Sequence, residues 1–159
     1  MDQLHTLQEW HQGIRISHSA HFQAAEVYEQ RNLLLGIPVV VLSAITGTAV
    51  FTSGGDTVLL ARVAVGLCSV AAAVLASLQT FLRYSELAQK HKAAAIKYGA
   101  LRRELEEALA TYSAEAPFRA DFMSDIRRRW DSLDDESPVV TKKIYDPVAL
   151  EYRKKIAKD

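Results

Sequence analysis

The side chains best suited to chemistry are five histidines, and four of them, His5, His11, His18 and His21, fall near the start of the chain. His18 and His21 stand three apart and so share one face of a helix, with His11 two turns earlier. Such a pair suits a metal ion, or an interface that responds to pH near neutrality. No cysteine or carboxylate ligand accompanies the pair. Polar residues at a helix–helix seam explain it equally well, and no metal ligand is assigned. Ser17-His18 and Ser19 with His21 put hydroxyls beside imidazoles, but neighbouring helical positions point in different directions. The lone Cys68 excludes an intramolecular disulfide, and zinc-ligand spacing is absent, so it reads as a small apolar residue. The chain has no phosphate loop, no GxSxG elbow, no HExxH and no carboxylate pair at catalytic spacing. It reads as a non-enzyme without a cofactor. Lys plus Arg and Asp plus Glu each number 19, which gives no basic excess or stripe for a nucleic acid.

The elements that must carry these residues are set by two charge-free runs, Leu33 to Phe51 and Val63 to Leu82. At 1.5 Å per residue each would reach about 30 Å, the thickness of a bilayer's hydrocarbon core. A buried hairpin in a soluble domain is the alternative, but the spanning threshold is passed twice in one short chain. Between the runs, Ser53-Gly54-Gly55-Asp56 is a turn signal. The expected fold is therefore an all-α membrane protein: a two-span transmembrane hairpin with long amphipathic cytoplasmic helices forming a bundle. No signal peptide is visible, because Asp2, Glu9, Glu26 and Glu29 precede the first run. The connector carries only Arg62, whereas Arg83, Lys90, Lys92, Lys97, Arg102 and Arg103 follow the second run. That asymmetry places both termini in the cytoplasm.

Residues 1–32 read as an amphipathic helix, with Leu4, Leu7, Trp10 or His11, Ile14, His18, His21, Ala25 and Tyr28 recurring every three or four positions. It is expected to run on into the first span (33–51), with Gly13 the one candidate break and Pro38 a candidate kink. In that span Gly36, Val40, Ser43, Gly47 and Val50 follow one stripe. The second span (63–82) divides more sharply. Gly66, Ser69, Ala73, Ala76, Ser77 and Thr80 form a small, weakly polar face, and Leu67, Val70, Val74, Leu78 and Phe81 form a bulky one that reads as lipid-facing. The small face suits close helix packing, within the hairpin or with neighbours, or the lining of a water-filled path in an oligomer. Neither span holds Asp, Glu or Lys, the mark of an ion carrier or proton relay.

After Leu82 the helix is expected to continue through 83–112, with Leu87, Ala94, Leu101 and Ala108 alternating with His91, Tyr98, Leu105 and Tyr112 as heptad a and d positions. The seam of alanines and aromatics suits a helical bundle better than an isolated coiled coil. Residues 117–135 give a further amphipathic helix through Phe118, Phe122, Ile126, Trp130 and Leu133, whose Arg127-Arg128-Arg129 reads as a solvated face. Ser137-Pro138 ends it, and Val139-Val140 suggests a short extended piece. In the tail, 136–159, Asp146-Pro147 is read as an N-cap followed by a proline at the first helical position. The terminal basic helix is left either folded back on the bundle or loose.

Leu35-Gly36-Ile37-Pro38, followed by Ser43-Ala44-Ile45-Thr46-Gly47-Thr48 and Phe51, resembles the first span of SLATT-domain proteins. Arg83-Tyr84, His91, Tyr98 and Leu101-Arg102-Arg103-Glu104 resemble the helix after their second span, and His21, Ala24-Ala25, Tyr28 and Arg31 also fit. The resemblance covers roughly 5–135 and suggests a SLATT-like domain over 1–135. It implies a two-span effector of bacterial conflict or anti-phage systems in the inner membrane, one that oligomerises and breaches the bilayer. Its partners would be the lipid bilayer, further copies of itself, and a sensor protein or an enzyme making cyclic-oligonucleotide signals. On this reading Gly36, Ser43, Gly47, Ser69, Ala73, Ser77 and Thr80 form the pore or packing face, and His91, Tyr98 and Leu101 couple the bundle to the spans. The alternative is a non-conducting anchor or adaptor that presents the bundle to a partner.

Overall fold

The computed structural model describes residues 3–52, 59–113 and 118–156. Every regular element among them is an α-helix: α1 (Gln3–Thr52), α2 (Leu59–Leu82), α3 (Tyr84–Thr111), α4 (Ala120–Glu136) and α5 (Lys142–Ile156). They form two compact units, Met1–Glu26 with Leu87–Asp159, and Val27–Glu86. The predicted turn at Ser53-Gly54-Gly55-Asp56, the break at 114–117 and the last three residues lie outside the described residues.

In the first unit, the three- and four-residue spacing of apolar side chains on α1, α3 and α4 gives one core. Leu7, Ile14, Ala94, Tyr98, Leu101, Leu105 and Ile126 are buried there, flanked by Trp10, Phe122, Met123, Trp130 and Leu133. Each fully buried Leu or Ile contributes about 1.5–3 kcal/mol. Gly13 does not break α1; it is the point where the Trp130 indole lies against the helix. Across α3 and α4, Arg129 bridges to Glu104 at 2.8 Å and Lys97 to Glu136 at 2.9 Å. Both pairs are solvent-exposed and, screened by water, add little to stability.

The tail folds back. Ile16 and Ala20 give α1 a second buried face, which packs on Val148 and Ala149 of α5, with Val140 and Tyr152 alongside. Ser19 Oγ and Tyr152 Oη share a 2.9 Å hydrogen bond, and the Arg15 guanidinium sits 4.8 Å from the Tyr152 ring centre. This helix does not start at Asp146. Its first turn is built on Thr141, whose carbonyl accepts the N–H groups of Ile144 and Tyr145, and Pro147 lies inside the helix. The Asp-Pro signal is overridden by the burial of Val148 and Ala149. Ser137, extended ahead of Pro138, stops α4 and returns its N–H to the Leu133 carbonyl.

In the second unit, α1 passes through Pro38 without ending, although the ring removes the donor that the Leu34 carbonyl would otherwise receive. The helix expected to continue past Leu82 is interrupted at Arg83, which takes a left-handed backbone with φ 48°. A non-glycine residue there is strained by its Cβ. Arg83 is held by an ion pair to Glu86, three residues on. Beside it the Tyr28 and Tyr84 rings lie 5.9 Å apart, with the Arg31 guanidinium over both.

Candidate functional site

Two side-chain arrangements stand out, one in each unit. In the helical bundle, α1 carries His21 and α3 carries His91 to a meeting point in the interior, where they are 5% and 1% exposed. Their Nδ1 atoms are 3.0 Å apart, so one ring donates and the other accepts. The Tyr98 ring, one heptad after His91, stacks on His21 with centres 5.2 Å apart and planes 19° from parallel. Tyr98 Oη donates to Asp134 of α4 at 2.5 Å. Imidazole, imidazole, phenol and carboxylate thus form one chain of contacts across three helices. Ser17, Pro138, Val140 and Tyr145 complete a cavity of about 200 Å³ beside it.

Burial disfavours the charged forms. It holds His21 at about 4, with the adjacent His91 a second cause, and it lowers His91 as well. The Tyr98 hydroxyl is raised, first by burial and then by its bond to Asp134. At neutral pH all three rings are uncharged. The site can store or refuse protons; it offers no activated nucleophile.

The two histidines expected to act together are separated. His18 does not share a partner with His21; its ring meets Phe22 edge-on and fills the space above Gly99, where an added Cβ would lie 2.9 Å from it. Burial, then the nearby Arg102 and Arg103, lower its pKa, with Glu106 opposing. His11 turns to Glu106 at 3.2 Å. Among the described residues no three His, Cys, Asp or Glu side chains converge as a metal site would need. Of the predicted coupling residues, His91, Tyr98 and Leu101 all lie in the bundle interior. Asp134 and Gly99 escaped the sequence reading. Glycine beside a heptad tyrosine is the signature of close helix approach, whereas nothing local singles out Asp134 among the acidic residues of α4.

In the hairpin, the seam between the spans uses one side of each helix. On α1 Asn32 and Gly36 face α2, where Gln79 donates to Asn32 at 3.3 Å and lies over Gly36. Ala72 is the buried residue of α2. Ser69, Ala73, Ser77 and Thr80 are exposed, as are Ser43 and Gly47 on α1. Of the predicted packing face, Gly36 lies under Gln79 of the partner helix. The hydroxyls of Ser69, Ser77 and Thr80 each donate to their own helix four residues back, at 3.0, 2.8 and 3.0 Å. Both spans are long and apolar enough to cross a membrane.

With two apolar helices and a helical bundle in place, comparison with family models identifies the architecture. The model for the SMODS and SLOG-associating two-transmembrane effector (SLATT) domain, family 4, matches residues 4–145. The chain belongs to that family. No curated protein and no solved structure matches it. The match includes both spans, the histidine pair and the start of α5, so the bundle and the hairpin are parts of one SLATT domain. Two rows of side chains on α2 point away from the buried Ala72. Leu67, Val70, Val74, Leu78 and Phe81 form the bulky row, all exposed, and the small residues flank it. Where the rows meet, Ala73 and Ser77 leave a groove of about 430 Å³ walled by Val70, Val74, Leu78 and Phe81.

Proposed function

We propose that this SLATT domain is an oligomeric effector that breaches the membrane, with copies associating through the groove on α2. The observation that carries this reading is the groove itself. It lies on the outward side of the hairpin, away from the seam with α1, and its floor is two small residues between bulky walls. In lipid, helices associate by close packing, and small residues let their backbones approach. A helix of a second copy is the occupant that such a hollow suits. Two helices cannot enclose a pore, so a water-filled path needs several copies. The family description supports an effector working beside SMODS and SLOG components. On that basis the trigger would be a sensor protein or a cyclic-oligonucleotide signalling enzyme in an anti-phage system. The excess of Lys and Arg after the second span supports both termini in the cytoplasm of a bacterial inner membrane.

The test is dye leakage from sealed vesicles holding the purified chain, with assembly size measured in parallel. Leakage is expected to rise with a defined oligomer and to fall to background in Ser77→Leu, which fills the groove without adding a polar group. Wild-type leakage from correctly inserted Ser77→Leu would overturn the groove as the assembly face. A wild-type oligomer that stays tight with every signal tried would instead support the non-conducting anchor.

A further inference from the structure

The histidine pair has a property that membrane permeation does not require. Two imidazoles joined through Nδ1 hold one proton between them, and the accepting ring uses its lone pair to do so. A proton added to that nitrogen leaves two N–H groups facing each other across 3.0 Å, and the link between α1 and α3 is lost. A second charge adds direct repulsion in an interior where neither ring is more than 5% exposed.

Each element packed around the pair presents a group to it. On α1, His18 is turned to Phe22 and Gly99. On α3, Tyr98 presents its ring face to His21 and is uncharged. On α4, Asp134 is the acidic group of the cluster, and the Tyr98 hydroxyl engages its carboxylate. Tyr145 of α5, with Ser17 and Ser137, lines the remaining side.

We infer that the His21–His91 contact is an acid-released latch between α1 and α3, closed while both rings are neutral and opened when they take up protons. His21 is held at about 4 in the closed bundle, against an ordinary value of 6.5 once the bundle opens. The open state therefore binds more protons between those two values. Latch stability is fully present above 6.5 and is lost as pH falls toward 4. At about pH 5, His21 alone shifts the open-to-closed ratio by roughly 30-fold, and His91 adds to it in the same direction.

Amide hydrogen exchange of the full chain in lipid nanodiscs tests this, with rates corrected for their intrinsic pH dependence. Protection in the α1 and α3 peptides that contain His21 and His91 is expected to fall by roughly 30-fold or more between about pH 7.5 and pH 5. In the double variant His21→Gln, His91→Gln, whose amides bond without titrating, it should not fall. An equal fall in both proteins, or none in wild type, would overturn the latch. Should the double variant not fold, nitrogen NMR of the wild-type rings decides. His21 is expected to stay neutral at about pH 6 and His91 to titrate below its ordinary value, and either ring titrating at its ordinary value would sink the proposal. Neither readout depends on leakage, so the latch and the proposed membrane function can fail separately.

Discussion

Replacing Gly13 with alanine sets two effects of known sign against each other. In the middle of a helix, alanine is better than glycine by about 1 kcal/mol, because it loses less backbone freedom on folding. At this position the added Cβ would sit 2.8 Å from Trp130 Cη2 and 3.0 Å from Cζ2. The indole cannot swing aside as a flexible chain end would, since Trp130 packs on the Ile14–Leu101–Ile126 core. Overpacking of this kind costs about 1–3 kcal/mol. The net expectation for Gly13→Ala is a loss of about 1 kcal/mol. The chain's two tryptophans, Trp10 and Trp130, both flank this core, so urea unfolding followed by tryptophan fluorescence reads the bundle without interference from the spans. The midpoint should drop with the slope unchanged. Adding Trp130→Phe should remove the clash and let the gain from alanine emerge, with Trp10 still reporting. A raised midpoint in Gly13→Ala alone would refute the claim that this glycine is kept for close approach.

Two further outcomes follow from the same unit. Tyr98→Phe keeps the ring on His21 but deletes the bond to Asp134, and should cost about 1–2 kcal/mol. In a double-mutant cycle with Asp134→Asn the two losses should overlap, and simple additivity would remove that bond from the account. Val148→Asp puts a carboxylate into the 2%-exposed site where α5 meets Ile16 and Ala20. It should release α5, so that its helical backbone unravels and trypsin cuts after the already exposed Lys142 and Lys143, while the tryptophan signal stays native. Wild-type resistance to trypsin would refute the docking of α5 on α1.

Helix type and the two apolar spans were legible because they depend on local pattern. Runs without charge and apolar recurrence at three and four residues are properties of one segment at a time. Which histidines meet was not legible, because His21 and His91 are 70 positions apart and the partner depends on how α3 sits on α1. The nearer pair, His18 and His21, shared a face in sequence but diverged once Gly99 admitted His18 and the tyrosine stack claimed His21. The stop at Arg83 was hidden because its residue type gives no turn signal. The early start of α5 was hidden for the opposite reason: Asp146-Pro147 is a strong local signal that tertiary burial overrode. On the hairpin, the division of α2 into small and bulky rows was plain from periodicity, but which row faces the first span required coordinates. Ala72 and Gln79, which belong to neither row, mark the seam.

The hydroxyls of α2 have one more consequence. Because Ser69, Ser77 and Thr80 each return their proton to their own backbone, the outward surface of this helix carries no unmet polar demand into lipid. These three hydroxyls therefore give a single copy no hydrogen-bonding reason to find companions in lipid. Under the proposed function, association through the α2 groove would then rest on shape.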